Sequence, residues 1–152
     1  MTQDLTIAYI PHTSIRGLEP LFRAYFEDIK YPGKMNLDFF EQVWAPMVRR
    51  DQAEIIVAAD DAIRGLCGMT YFRDVFNGEM TATIVLLWVA PECRGQGIGA
   101  ALLKQAEENA EARGCMSVVH GHPFTVQKDG GRALFEKRGY SAVELYFRKN
   151  LE

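Results

Sequence analysis

The stretch Ile84-Val85-Leu86-Leu87-Trp88-Val89, closed by Ala90-Pro91 and followed by Arg94-Gly95-Gln96-Gly97-Ile98-Gly99, constrains this chain more than any other. A short apolar run rich in branched and aromatic side chains reads as a strand. Its lack of alternation suits the middle of a sheet covered on both faces. Beyond the turn, Ile98, Ala101, Leu102, Ala106 and Ala110 recur at helical spacing up to Gly114, which is placed to cap the helix. The pattern is therefore central strand, tight turn, helix. Glycines let the backbone take positive φ and approach a ligand closely. The first N–H groups of the helix converge on a spot that favours an anion. Arg94 at the lip can add charge-assisted contacts to phosphate oxygens.

The rest of the chain alternates short elements. Leu5 to Ile10 alternates as a strand. Thr13 or Ser14 can cap a helix to about Ile29, with Ile15, Leu18, Leu21, Phe22, Tyr25 and Phe26 on one face, and Tyr31-Pro32-Gly33 breaks it. Asn36 or Asp38 starts a second helix through Arg50, with Phe39, Phe40, Val43, Trp44 and Met47 inward and a kink or early stop near Ala45, before Pro46. Glu54 to Ala59, Ile63 to Arg73 and Met80 to Val89 are strands, joined by turns at Asp60-Asp61 and Asn77-Gly78. The helix from Gly97 to Arg113 leads to a strand from Met116 to His120, a short helix from Gly131 to Arg138 and a last strand from Tyr140 to Arg148. The order β-α-α-β-β-β-α-β-α-β is mixed α/β (α+β): an antiparallel meander followed by a parallel crossover.

With 152 residues and no repeat or linker, the chain reads as a single domain over residues 1–152. No apolar run approaches the roughly 18 residues that span a bilayer, and the N-terminus lacks a basic stretch ahead of an apolar one. Neither membrane nor export is expected. A formal charge of −3 offers no basic stripe for nucleic acid. Cys67, Cys93 and Cys115 are odd in number and widely spaced, which argues against a disulfide framework and a zinc site and points to a reducing, cytoplasmic compartment.

Three phosphate-binding patterns compete for the turn. A P-loop needs Gly-Lys-Ser/Thr, which Gly99-Ala100-Ala101 lacks. A dinucleotide site formally matches at Gly95-x-Gly97-x-x-Ala100. It also wants an acid ending the next strand, and this strand ends Val118-Val119-His120-Gly121-His122. The third pattern spans the chain. Arg94-Gly95-Gln96-Gly97-Ile98-Gly99-Ala100 after a fourth strand, and Ala133-Leu134-Phe135-Glu136-Lys137-Arg138-Gly139-Tyr140 downstream, resemble the two signatures of the GCN5-related N-acetyltransferase (GNAT) superfamily.

That resemblance implies a mixed sheet of about six to seven strands flanked by about four helices. It implies an acyl-CoA-dependent N-acyltransferase, with acetyl-CoA as donor and a primary amine, on a small molecule or a protein, attacking directly in a ternary complex. The backbone of Arg94, Gly95, Gln96, Gly97, Ile98, Gly99 and Ala100 would cradle the pyrophosphate. A bulge near Leu87-Trp88-Val89 would pair with the pantetheine arm, and the strands holding Val89 and Val119 would splay apart.

The sequence departs from the family at two positions. Phe135 stands where a proton-donating tyrosine is usual, and Gly130 where an asparagine is usual. A phenyl ring cannot donate a proton. His120 and His122, two apart at a strand end, are the residues able to serve as acid, base or relay there. No third ligand joins them, so no metal is expected. The alternative is a non-catalytic acyl-CoA-binding module on the same fold. Few residues follow Tyr140, and a partner chain covering the exposed edge, in a homodimer, is the expected remedy.

Overall fold

A computed structural model describes residues 4–31, 33–121, 131–144 and 146–151. Strand β1 (Thr6–Tyr9) leads into a 3-10 segment, His12–Leu18, and then helix α1 (Glu19–Asp28). The expected single helix is split because Pro20 has no N–H to return to the Arg16 carbonyl. The Glu19 N–H takes that carbonyl instead, a tighter i to i+3 bond.

Helix α2 spans Leu37–Arg49 and is capped by Asn36, whose side chain accepts the Phe39 N–H at 3.0 Å. It runs through Pro46 without the early stop expected there. The carbonyl orphaned by that proline belongs to Gln42, an exposed residue that can turn to water. The cap also sets the helix phase. Trp44 is buried, but Phe39 and Val43, read as inward, are 63% and 40% exposed.

Strands β2 (Ala53–Ala59), β3 (Ile63–Arg73) and β4 (Met80–Val89) form the antiparallel meander. Helix α3 (Ile98–Ala112) crosses to β5 (Ser117–His120), and α4 spans Gly131–Lys137. The sheet order is β1-β2-β3-β4-β5, antiparallel except for the parallel pair β4 and β5. One face packs Ile55, Val57, Leu66, Leu86 and Trp88 against Phe22, Tyr25 and Trp44 of α1 and α2. The other packs Ile56, Cys67, Met69, Ala82 and Ile84 against Leu102, Leu103 and Ala106 of α3 and Phe135 of α4.

Ile84 and Leu86 are two apart yet face opposite layers. The reason is a bulge: the register steps from Gly68↔Leu86 to Met69↔Ile84, leaving Val85 as the extra residue. The bulge was expected at Leu87-Trp88-Val89 and lies at Val85. Its place is set by packing, since a Cβ on Gly68 would lie 3.0 Å from Leu86 and 3.1 Å from Trp44.

The described residues form five strands, fewer than expected. The strand read at Tyr140 to Arg148 does not form: residues 140–144 and 146–151 carry no regular structure. Strand-prone residues need a partner edge as well as propensity. Here the tail leaves α4 and reaches the α1–α2 layer, where the Arg148 guanidinium sits 5.5 Å from the Tyr31 ring. Among the described residues, no helix is long and apolar enough to cross a membrane.

Candidate functional site

The parallel pairing of β4 and β5 stops at Ile84↔His120, while β4 runs on to Val89. β5 ends with that pair, so beyond the bulge the last residues of β4 have no described strand beside them on that side. The Ala90 N–H is bonded to the Arg64 carbonyl at 2.8 Å on the β3 side. Strand alternation then turns the main-chain groups of Leu87 and Val89 away from β3, and those of Trp88 toward it.

After β4, a short 3-10 turn over Pro91–Cys93 leads to the glycines. Gly95 and Gly97 hold φ of 78° and 84°, and a Cβ on either would meet nothing within 4 Å. Conformation, with no neighbour crowding them, is what requires glycine there. Gly99 differs: its Cβ would lie 3.2 Å from Leu134, so its smallness lets α4 close on α3. Gly97 begins α3, with no side chain capping it and no acid in the first turn. The first helical bond is Ala101 N–H to the Gly97 carbonyl, so the preceding amides of Ile98, Gly99 and Ala100 have no intrahelical partner. A helix of 15 residues ending in bare, forward-pointing amides is built for an anion.

The Arg94 side chain turns inward. Its Nη2 donates to Asp28 Oδ2 at 2.7 Å and its Nε to the Val89 carbonyl at 3.0 Å. Trp88 Nε1 donates to the same Asp28 oxygen at 2.7 Å. Nothing in the sequence singles out Asp28, because the contact joins residues far apart in the chain. Trp88 itself is buried against the α1–α2 layer.

His120 is the last residue of β5, in its final pair with β4. Its Nδ1 lies 2.8 Å from the Ile84 carbonyl. A carbonyl only accepts, so Nδ1 carries the proton of that bond. The imidazole stacks on Phe135, with centroids 4.7 Å apart and planes at 17°, and Phe135 meets Tyr140 edge-on at 5.1 Å. The ring occupying the family's tyrosine position is thus in contact with a titratable side chain. His122 and Gly130 lie outside the described residues.

The hydroxyls of Tyr71 and Tyr140 are both engaged by carboxylates. Tyr71 donates to Glu54 at 2.5 Å in the stretch where β3 pairs with Ala82, while β4 is still paired with β5. Tyr140 donates to Glu107 at 3.3 Å. Burial first, and then the facing carboxylate, pushes both phenols well above their usual range, which makes them poor acids. Glu79 is tied into the β3–β4 turn, at the opposite end of β4 from the glycines. Cys93 is partly buried beside both core layers. Among the described residues, no group of three or more His, Cys, Asp or Glu is arranged to hold a metal ion.

The profile of the Acetyltransferase (GNAT) family matches residues 15–140. No curated protein sequence matches the chain. Solved structures do. A predicted acetyltransferase with acetyl-CoA from Clostridium acetobutylicum superposes at a TM-score of 0.82 with 12% identity, over 97% of this chain and 96% of that one. Ribosomal-protein-alanine N-acetyltransferase from Brucella melitensis biovar Abortus 2308 gives 0.75 at 21% identity, over 98% and 100%. An aminoglycoside acetyltransferase from an uncultured soil metagenomic sample gives 0.78 at 17%, over 99% and 100%. At these identities the likeness is one of fold.

Proposed function

The chain belongs to the GNAT acetyltransferase family, and on that premise we propose that it transfers an acetyl group from acetyl-CoA to a primary amine by direct attack in a ternary complex. The observation that carries this reading is the junction of two features: the end of β4, which runs on past its last pair with β5, and the bare amides of α3 that follow it. The amides from Arg94 through Ala100 suit a pyrophosphate, and the main chain of Leu87 suits the pantetheine arm. A C–N bond forms as the amine attacks the thioester carbon. The C–S bond breaks, and the sulfur leaves with the electron pair. The ammonium proton goes to water or a base on the acceptor side. We assign His120 to the thiolate: as imidazolium, held by the Ile84 carbonyl through Nδ1, it gives its Nε2 proton to the sulfur, the task that Phe135 cannot do. His122 remains a second candidate for this role.

The acceptor is an amine on a small molecule or a protein, as with the aminoglycoside and ribosomal-protein enzymes of the same fold. Free thiols at Cys67, Cys93 and Cys115 suit a reducing, cytoplasmic setting. A second reading, an acyl-CoA-binding module without turnover, draws on Phe135 and Gly130, the two departures from the family pattern. Calorimetry with acetyl-CoA, followed by thiol release across a panel of amines, separates the two. Binding with turnover supports the enzyme, binding without turnover on any amine supports the module, and no binding removes both.

We also propose a homodimer. Among the described residues β5 pairs only with β4, and the tail exposes Val143, Tyr146, Phe147 and Leu151 at 79%, 78%, 89% and 86%. A strand edge and an exposed apolar segment in each copy can satisfy each other reciprocally. Sedimentation showing only monomer at high concentration sinks this idea.

A further inference from the structure

Met69 and Tyr71 of β3, Ala82 and Ile84 of β4 and Val118 of β5 pack with α3. Alternation turns Thr70, Phe72, Thr81, Thr83, Ser117 and Val119 to the other face of the sheet. The register aligns these six in two rows across three strands, Thr70↔Thr83↔Val119 and Phe72↔Thr81↔Ser117. The α1–α2 layer packs further along that face, on Leu66, Leu86 and Trp88, and neither Phe72 nor Val119 joins its core. On the outer strands Phe72 and Val119 are 44% and 38% exposed, while Thr81 on the middle strand is buried, so the two rows form a shallow recess. None of the six side chains carries a charge. His120, next after Val119, turns its ring the other way, onto Phe135.

We propose that this recess receives the acceptor, and that the acceptor is a primary amine carried on an uncharged, largely apolar body about 10 Å long. This rests on the reading of His120 and the end of β4 as the reacting centre. The groups assigned to the donor, the α3 amides and the His120 ring, lie on the α3 side of the sheet, which leaves the opposite face for the amine. The row through Thr83 and Val119 comes just before the last pair, Ile84↔His120, so an amine reacting there lies beside the recess. From Ile84 back to Thr81, level with Phe72, is three steps along β4, about 10 Å, which sets the length of body that reaches the ring. Covering the Phe72 ring and the Val119 methyls favours an apolar body. A second ammonium group would lose water there and meet no carboxylate, which disfavours polyamines and amino sugars.

Butylamine and 4-phenylbutylamine share one alkylamine end and differ by the ring that would reach Phe72. With acetyl-CoA and the wild-type protein, thiol release is expected to give a kcat/KM about tenfold higher for 4-phenylbutylamine, with spermidine below it. A ratio under about threefold, or a higher value for spermidine, overturns the proposal without any variant having to fold. In Phe72→Ala the advantage of the ring over butylamine should drop below about threefold. A folded Phe72→Ala that keeps the full ratio overturns the proposal. If that variant instead sediments as a monomer where wild type is a dimer, with the ratio intact, the face belongs to a second copy and the proposal is likewise overturned. Acetyl-CoA binding with turnover of neither amine removes this inference alone. Failure to bind acetyl-CoA removes the transfer reading as well.

Discussion

At residue 120 the local geometry narrows the chemistry. The Ile84 carbonyl takes the Nδ1 proton, so in the neutral ring the lone pair sits on Nε2, and in the charged ring both nitrogens donate. His120→Gln keeps a side chain able to hydrogen-bond and removes titration. If His120 protonates the thiolate, kcat falls by about 10- to 100-fold and the loss of rate on the alkaline side of the pH profile disappears. A kcat within twofold of wild type, with the profile unchanged, rejects that role. Phe135→Tyr on the His120→Gln background restores a donor at the family position and should recover part of the rate. Phe135 is 8% exposed, so a hydroxyl left without a partner there costs about 1–3 kcal/mol. Melting of Phe135→Tyr alone reports whether one is found. The histidines were legible in the sequence as a pair at a strand end. The stacking of His120 on Phe135 was not, because it joins a strand to a helix beyond an intervening segment.

Among the elements, the strand–turn–helix unit combines a bulge, which turns β4 over, with a turn that needs left-handed backbone. Gly97→Ala tests the turn. The added methyl meets no atom within 4 Å, so its cost comes from φ of 84° alone, about 1–2 kcal/mol of folding stability. The same methyl projects into open space at the start of α3, where the ligand's phosphates are proposed to lie. Coenzyme A affinity is therefore expected to fall by more than the stability loss implies, read by calorimetry well below the melting temperature. Unchanged affinity in the folded variant argues against phosphate at this turn. The limits of β3 and β4 were readable because hairpin turns and long apolar runs are local signals. The bulge at Val85 was not, since it depends on how Leu86 and Trp44, from two elements, close over Gly68.

For the molecule as a whole, α3 is pinned at its far end by a buried polar cluster. Glu54, 7% exposed, accepts from Tyr71 at 2.5 Å, Asn109 at 2.8 Å and Arg113 at 3.3 Å, and Arg113 lies 4.0 Å from the Tyr71 ring centroid. Glu54→Leu strands three donors at once and should cost about 3 kcal/mol or more by urea unfolding. Removing the exposed pair Arg16 with Asp38 should move the urea midpoint far less, because water and salt screen it. Alkali should also destabilise the fold. Burial pushes the Cys67 thiol up to about 12 from its usual 9.0. The unfolded chain then releases this proton first, so stability is intact below pH 9.0 and falls as pH rises toward about 12. Tyr25, pushed up to about 12 by burial, adds a second loss that begins near its usual 10.0. In Cys67→Ala the urea midpoint should stay flatter between about pH 9 and 10, where each displaced proton is worth about 1.4 kcal/mol per pH unit. A midpoint that falls as steeply as in wild type rules out Cys67 as the cause.

The sequence by itself determined the mixed α/β order, the glycine turn ahead of α3 and the family, because these depend on periodicity, turn chemistry and motif spacing, all written over a few adjacent residues. Tertiary structure alone decided that Arg94 would bond Asp28, that Phe39 would face outward and that the segment after Tyr140 would form no strand. Each of these depends on which distant group offers a charge, a surface or an edge. Contacts of that kind are chosen by packing once the chain has closed on itself.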